Sequence, residues 1–322
     1  MKPKFFVFLR IFVGLSLVFI IFKLIPYQEL IGHLKKTNLY ILGLAFSIFF
    51  FTHLLGVLRW KVVLKTLDLN IKFKELFFLF FSSLFLNLIF PSLIAQDVFR
   101  GGLLSYKQPN SLKKITASLI IDRFSGFLAL TLIVLISFSL GGNLVRSRVI
   151  VFSVLILTIL MFFSFLFIGS KQVFRVFLIF LGKAERLKGR LTEFHNCLYI
   201  FRKKSFSFLK ILSISLVIQS LVVAVFYIVG LSFGLRINFL FYFILIPIVM
   251  TVANLPLTSA GLGTREFTMV YLFSKIGVEK SLALGISLMN FFFIVILGLL
   301  GGVLYVAFYS RRLQSYKQNS RD

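Results

Sequence analysis

Long apolar stretches recur along the chain and are separated by short polar segments rich in lysine and arginine. A helix that crosses a bilayer needs about 20 consecutive apolar residues, and six uninterrupted stretches reach that length. They cover residues 5–25, 39–58, 115–140, 149–168, 208–231 and 281–309. The pattern predicts an all-α integral membrane protein, a polytopic helical bundle of about six spanning helices.

Two further apolar regions, 76–106 and 239–276, are interrupted near their middles. Proline, glycine and charged residues fall between 91 and 100 in the first region and between 256 and 266 in the second. We expect each region to form a broken, re-entrant helical hairpin. Ordinary spanning helices kinked by proline are the alternative, since Pro and Gly are common in membrane helices.

The basic residues predict how the chain is oriented. If the N-terminus is cytoplasmic and each broken region enters and leaves by one face, 25 of the 36 Lys and Arg residues fall on the cytoplasmic side and 8 on the other. This bias is the positive-inside pattern, with both termini cytoplasmic. Three spanning helices separate the broken regions, so the two hairpins should enter from opposite faces, as in transporters with inverted repeats.

Composition leaves little room for a soluble domain. Of the 322 residues, 59% are hydrophobic and 14% charged, which predicts a single transmembrane domain over 1–322. Within it, segment 170–207 carries nine Lys and Arg residues and predicts a cytoplasmic amphipathic connector. A plain membrane anchor and a partner-binding surface are both open for this connector.

The net charge of +26 narrows the choice of partner. Because the basic residues alternate with apolar runs, they favour anionic lipid headgroups over nucleic acid. The single cysteine and three scattered histidines give no metal-binding spacing, and no cofactor is expected. Homo-oligomer formation is left open.

Charged residues inside apolar segments are the strongest functional pointers. Each costs about 2.5–3.5 kcal/mol on insertion scales, so those that remain usually face a protein interior or an aqueous cavity. Three sets qualify: Asp97 with Arg100, Asp122 with Arg123, and Arg265 with Glu266. Adjacent residues on a helix do not face each other. The expected partners are Arg100 or Arg265 for Asp122, and Asp97 or Glu266 for Arg123. A lipid-headgroup site and a neutral salt-bridge network that only holds the bundle together remain open alternatives.

The residues before these charges favour helix N-termini inside the membrane. Small and N-cap residue types precede each second half-helix, and such ends suit a lipid phosphate or carboxylate. Gly261 and Gly263 would allow a close backbone approach. Arg59 and Trp60, at the end of the second helix, are expected to be interface anchors.

Together these motifs resemble the lysylphosphatidylglycerol synthase transmembrane region, a flippase-like domain family, over roughly residues 5–310. The resemblance rests on Arg59-Trp60, Pro91 with Asp97–Arg100, Asp122–Gly126 and Pro256–Glu266. It implies a role in moving a phospholipid or polyprenyl-linked lipid between leaflets of the cytoplasmic membrane. Only a short tail follows the last apolar stretch, so aminoacyl transfer by this chain is not expected. The sequence has no nucleophile-elbow or Walker motif, so enzyme activity is not expected either. The alternative is a non-transporting membrane partner that recruits or regulates a lipid- or glycan-synthesising enzyme.

Overall fold

The computed structural model describes residues 27–35, 37–89, 95–141, 148–170, 204–254 and 263–307, together with isolated residues between 172 and 201. These residues form helices and turns, with no strand among them. The helices with defined bounds are α1 (Tyr27–Lys35), α2 (Leu39–Thr66), α3 (Phe73–Ile89), α4 (Ala95–Lys107), α5 (Leu112–Gly141), α6 (Arg148–Gly169), α7 (Ser205–Ser232), α8 (Phe239–Ala253), α9 (Thr264–Ser274) and α10 (Lys280–Tyr305). A short 3₁₀ turn, Pro109–Ser111, joins α4 to α5.

Four helices are long and apolar enough to cross a membrane: α2, α5, α7 and α10. They coincide with four of the six predicted spans. The stretch 149–168 falls in α6, a helix of 22 residues with an apolar part at Ile150–Phe163. The stretch 5–25 lies outside the described residues, as does most of the connector 170–207.

Each broken region is built from two separate helices. The first gives α3, with 17 residues, and α4, with 13 residues. The second gives α8, with 15 residues, and α9, with 11 residues. At 1.5 Å per residue these helices are about 16–26 Å long, shorter than a hydrocarbon core of about 30 Å. The residues between them, 90–94 and 255–262, lie outside the described residues.

The helices α2–α5 and α7–α10 form two structural repeats. Helices α2 and α7 each have 28 residues and begin 166 positions apart, and α3 and α8 begin at the same spacing. Matching side chains occur at this spacing in the loop and in the helix that follows it. They are Leu69 and Leu235, Ile71 and Ile237, Phe73 and Phe239, Phe77 and Phe243, and Leu79 and Leu245.

The same helix C-cap ends α2 and α7. Asp68 has φ 61° and Gly234 has φ 79°, so both adopt the left-handed conformation. The next residue then donates its backbone N–H to the carbonyl five positions earlier, at 3.0 Å for Leu69 and 2.9 Å for Leu235. The two repeats therefore share local geometry as well as helix order.

Packing follows the repeat. Helix α2 packs against α7, while α3 packs against α10 in the way that α8 packs against α5. When each helix is replaced by its equivalent in the other repeat, the α2–α7 contact maps onto itself and the α3–α10 contact maps onto α8–α5. The bundle therefore has an internal pseudo-twofold relation, and its core lies where α2 and α7 meet the flanking helices.

Glycine permits the close contact between α3 and α10. A Cβ at Gly301 would lie 2.1 Å from the carbonyl oxygen of Phe81, and one at Gly298 would lie 2.3 Å from Leu88. Small residues are the usual means by which membrane helices approach each other. Both glycines are therefore needed for the separation of the two helices.

Helix α1 is held against the start of α10. His33 Nε2 lies 3.4 Å from Glu279 Oε1, and the Ser281 hydroxyl donates to the same carboxylate. The hydrogen bond from Ser281 holds the pKa of Glu279 below its ordinary value, and His33 adds to the effect.

Candidate functional site

Asp122, on the buried face of α5, lies between two arginine side chains. Its Oδ1 accepts from Arg59 Nε of α2 at 2.7 Å, and its Oδ2 accepts from Arg100 Nη2 of α4 at 2.9 Å. Only 3% of the Asp122 side chain is exposed. One carboxylate thus joins three helices.

Arg100 is enclosed on several sides. Its Nε donates to Asp97 Oδ1 at 3.0 Å, and its Cζ lies 4.7 Å from the ring centroid of Trp60 and 5.3 Å from that of Phe80. Its Nη1 is buried and has no hydrogen-bond partner in the described part of the chain. A buried guanidinium with an unused donor is costly, so this side chain retains unused capacity to bind an anion.

Asp97 joins Arg100 to Arg123. The second oxygen of its carboxylate accepts from Arg123 Nε, so one acid connects α4 to α5. The Arg123 side chain is 34% exposed, against 3% for Arg100. Arg123 is therefore more accessible than Arg100 to a molecule that approaches from outside the bundle.

Hydroxyl groups connect these charges to α7. Arg59 Nη1 donates to Ser215 Oγ at 3.1 Å, and Ser215 donates to Ser125 Oγ at 3.1 Å. Gly126 lies beside this contact, and a Cβ there would be in ordinary van der Waals contact with Arg59 Nη1, at 3.4 Å. Helices α2, α5 and α7 are thus joined by polar groups at one level.

We call Arg59, Arg100, Arg123, Asp97 and Asp122 the arginine cluster. Three cations in contact with two anions leave one positive charge without a counterion inside the cluster. The acids of the chain that lie outside the described residues are Glu185, Glu193 and Asp322, all in segments that the sequence predicts to be cytoplasmic.

Arg265 and Glu266 form a second, closed site at the start of α9. Arg265 Nε donates to Glu266 Oε1 at 3.0 Å and to Ser287 Oγ at 3.2 Å. The other oxygen, Glu266 Oε2, accepts from the backbone N–H of Gly263 at 2.7 Å, where φ is 83°. The carboxylate thus caps its own helix and neutralises the neighbouring arginine.

Residues 7–302 match the sequence model of a family described as the lysylphosphatidylglycerol synthase TM region. The chain belongs to this family. It is also 23% identical over 306 residues to UPF0104 membrane protein PH1989 of Pyrococcus horikoshii, covering 88% of this chain and 91% of the relative. No solved structure shows significant similarity to the chain.

Two of the charge pairings expected from the sequence are present in the structure. Asp122 pairs with Arg100, one of its two expected partners, and Arg123 pairs with Asp97. The other expected partners, Arg265 and Glu266, pair with each other, and among the described residues neither joins the arginine cluster. Gly261 lies outside the described residues.

The interpretation of Arg59 and Trp60 as interface anchors is corrected. Trp60 is fully buried and donates its indole N–H to Ser118 Oγ at 3.2 Å, while Arg59 binds Asp122. The reason is that α2 continues to Thr66, which places this pair within the bundle. Arg59 is thus the site residue whose role sequence reasoning missed.

The two repeats of this chain differ in chemistry at equivalent positions. Asp97 and Glu266 are each the third residue of their helix, but only Asp97 binds an arginine of the next helix, Arg123. Asp122, the eleventh residue of α5, corresponds to the buried Asn290 of α10. The positive excess therefore belongs to the first repeat.

Proposed function

We propose that the protein is a lipid translocase that moves a phospholipid or a polyprenyl-linked lipid between the leaflets of the cytoplasmic membrane. The observation that supports this most is the arginine cluster, which places three positive charges against two negative charges among apolar helices. Charges at membrane depth usually mark a substrate pathway or a relay. An anionic headgroup would supply the missing counterion.

Helix lengths support a location well inside the bilayer. Asp122 lies ten residues after the start of α5, and Asp97 lies ten residues before Lys107 at the end of α4. Each separation is about 15 Å along a helix, half of a hydrocarbon core of about 30 Å. If Lys107 marks the cytoplasmic interface, the cluster lies near the midplane.

The repeat supports a transport role. We take α3–α4 and α8–α9 as re-entrant hairpins, and both α6 and the predicted stretch 5–25 as spans. Three helices, α2, α5 and α6, then cross the membrane between the start of α2 and the start of α7. The second repeat is then inverted relative to the first, and both termini are cytoplasmic. Inverted repeats with interrupted helices near the midplane are a common transporter architecture. The lipid tails would stay in the bilayer while the headgroup passes between the hairpins.

The chemistry of the cluster favours binding over bond cleavage. Both aspartates accept hydrogen bonds from two arginines, so neither is placed as a free general base. We therefore propose no enzymatic activity and no aminoacyl transfer for this chain.

Leaflet exchange in reconstituted vesicles tests the proposal. Purified protein is incorporated into vesicles with a fluorescently labelled phospholipid, and a membrane-impermeant quencher is added outside. Without exchange about half of the fluorescence survives; with exchange the surviving fraction falls well below half in vesicles that contain protein. Survival equal to that of protein-free vesicles would contradict translocation and favour the role of a membrane partner of a lipid- or glycan-synthesising enzyme.

A further inference from the structure

The arginine cluster has a charge that selects among phosphate ligands. Its five side chains carry three positive and two negative charges, and the described part of the chain offers Arg100 Nη1 no partner. The N-terminus of α4, in whose first turn Asp97 lies, adds a partial positive charge. A ligand with one negative charge would balance the cluster.

We propose that the arginine cluster binds the singly charged phosphodiester of a membrane lipid whose headgroup carries no further charge. This inference rests on the proposed function and specifies its substrate class. A phosphodiester carries a single negative charge. A phosphomonoester carries about 1.5–2 negative charges at pH 7, and a pyrophosphate-linked lipid carries more than one, so either would leave a surplus anion in an apolar setting.

The same charge balance in the cluster determines whether the lipid headgroup can carry a positive charge beside its phosphate. An ammonium group beside the phosphate would need an acidic partner in the protein. Asp97 and Asp122 each hold two arginines, and Glu266 holds Arg265 and caps α9. No acid near the cluster in the described residues is therefore left for an amine, which favours an anionic lipid over a zwitterionic one.

The two aspartates have different tasks in this proposal. Asp122 is almost fully buried and fixes Arg59 and Arg100 in place. Asp97 lies next to the more exposed Arg123, where the phosphate would bind first. The Asp97 carboxylate and the phosphate would then compete for the same guanidinium groups. Replacing Asp97 with asparagine raises the excess charge from one to two, and this change should shift the preference toward a dianion.

The chain carries a reporter for this site. Trp60 is its single tryptophan, and its ring lies 4.7 Å from Arg100 Cζ. Binding at the cluster should therefore change the intrinsic fluorescence of the full-length protein in detergent. The probes are the dihexanoyl forms of phosphatidylglycerol, phosphatidylethanolamine and phosphatidic acid, titrated at pH 8, where a phosphomonoester is dianionic.

The expected result is that phosphatidylglycerol binds about tenfold or more tightly than either other probe. Arg123→Gln should remove this binding, whereas Arg236→Gln, which deletes an exposed arginine in the loop before α8, should leave it unchanged. In Asp97→Asn the order of phosphatidylglycerol and phosphatidic acid should reverse. If Asp97→Asn does not accumulate, the Arg123 and Arg236 pair still decides the matter.

Equal binding of the three lipids, or titrations that Arg123→Gln leaves unchanged, would overturn the proposal. The free headgroup, glycerophosphoglycerol, is titrated in parallel, and tighter binding of it than of the lipid would assign the site to a soluble phosphodiester and overturn the lipid assignment. Leaflet exchange is measured on the same preparations. Exchange without this binding preference contradicts the site and leaves translocation standing, whereas the preference without exchange contradicts translocation alone.

Discussion

Replacing Asp122 with asparagine should destabilise the protein severely. The substitution keeps the shape of the side chain but removes its negative charge, so Arg59 and Arg100 lose their shared counterion. Asparagine has one acceptor oxygen in place of two, and its amide hydrogens would face one of the two guanidinium groups. The arginine cluster would then hold three cations and a single anion.

The structure allows the cost to be estimated. Losing one charge-assisted hydrogen bond removes about 1.5–3 kcal/mol. Leaving a buried charge without its partner raises the total to about 3–5 kcal/mol. That is a large part of a typical free energy of unfolding of about 5–15 kcal/mol. At roughly 2–4 °C per kcal/mol for chains of about 150–250 residues, the unfolding midpoint should fall by on the order of 10 °C.

Thermal unfolding of the detergent-solubilised protein, measured with its abundance in the membrane, checks this estimate. Asp68→Asn is the matched control, because Asp68 is exposed, lies 3.3 Å from Lys204 and has a positive φ that asparagine tolerates. An exposed ion pair contributes at most about 1 kcal/mol, so this control should stay near wild type. Equal midpoints and equal abundance for Asp122→Asn and Asp68→Asn would refute the assignment of Asp122 as the central counterion.

Three further predictions concern packing, topology and pH. Gly301→Ala should lower the free energy of unfolding by at least about 1–3 kcal/mol, because its methyl group would meet the α3 backbone. Gly102→Ala is the control, since a Cβ there has no atom within 4 Å. It should be neutral or slightly stabilising in the same unfolding assay. In protein whose native cysteine is replaced by serine, Lys65→Cys should resist an impermeant maleimide in intact cells and Arg236→Cys should react; the reverse pattern would contradict the orientation. The pKa of Glu279 is lower in the folded protein than in the unfolded chain, so its ionised carboxylate stabilises the fold at pH values above the unfolded pKa. This stabilisation is lost as the pH falls below about 4.3. Glu279→Gln should flatten that part of the stability profile, and an unchanged profile would show that this carboxylate has no such role.

Much of the fold follows from the order of apolar and polar residues. Charges inside an apolar run must be buried against other charges, which is why spacing alone led to the pairs Asp122–Arg100 and Arg123–Asp97 among a few alternatives. The separation of each broken region into two helices was also predictable, because proline and glycine interrupt the apolar pattern there. Re-entry of these helices into one face of the membrane remains a prediction.

Other contacts depend on how helices are aligned with each other, which spacing does not give. Arg59 reaches Asp122 because α2 extends beyond its apolar stretch and packs beside α5. The closed Arg265–Glu266 pair did have a local signal. An acid three residues after Gly263 is in the capping position, so it binds its own helix end before any distant partner.

The repeat is also visible in the amino-acid sequence. Leu69, Ile71 and Phe73 recur as Leu235, Ile237 and Phe239 at a constant spacing of 166 residues. In a chain with 59% hydrophobic residues, identical hydrophobic residues alone are weak evidence for a repeat. The matching helix lengths and C-caps are needed to support it. The chemical difference between the repeats, in contrast, follows directly from aspartate at one site and asparagine at its equivalent.

The proposed function requires that an anionic headgroup crosses the membrane by way of the arginine cluster. The most direct measurement compares the initial rate of leaflet exchange of labelled phosphatidylglycerol in vesicles containing wild-type protein, Arg123→Gln or Arg236→Gln at equal protein density. We predict that Arg123→Gln slows exchange at least about tenfold, a loss of roughly 1.4 kcal/mol in transition-state stabilisation, while Arg236→Gln matches wild type. Exchange at the wild-type rate in Arg123→Gln vesicles would show that the headgroup does not pass by way of the arginine cluster.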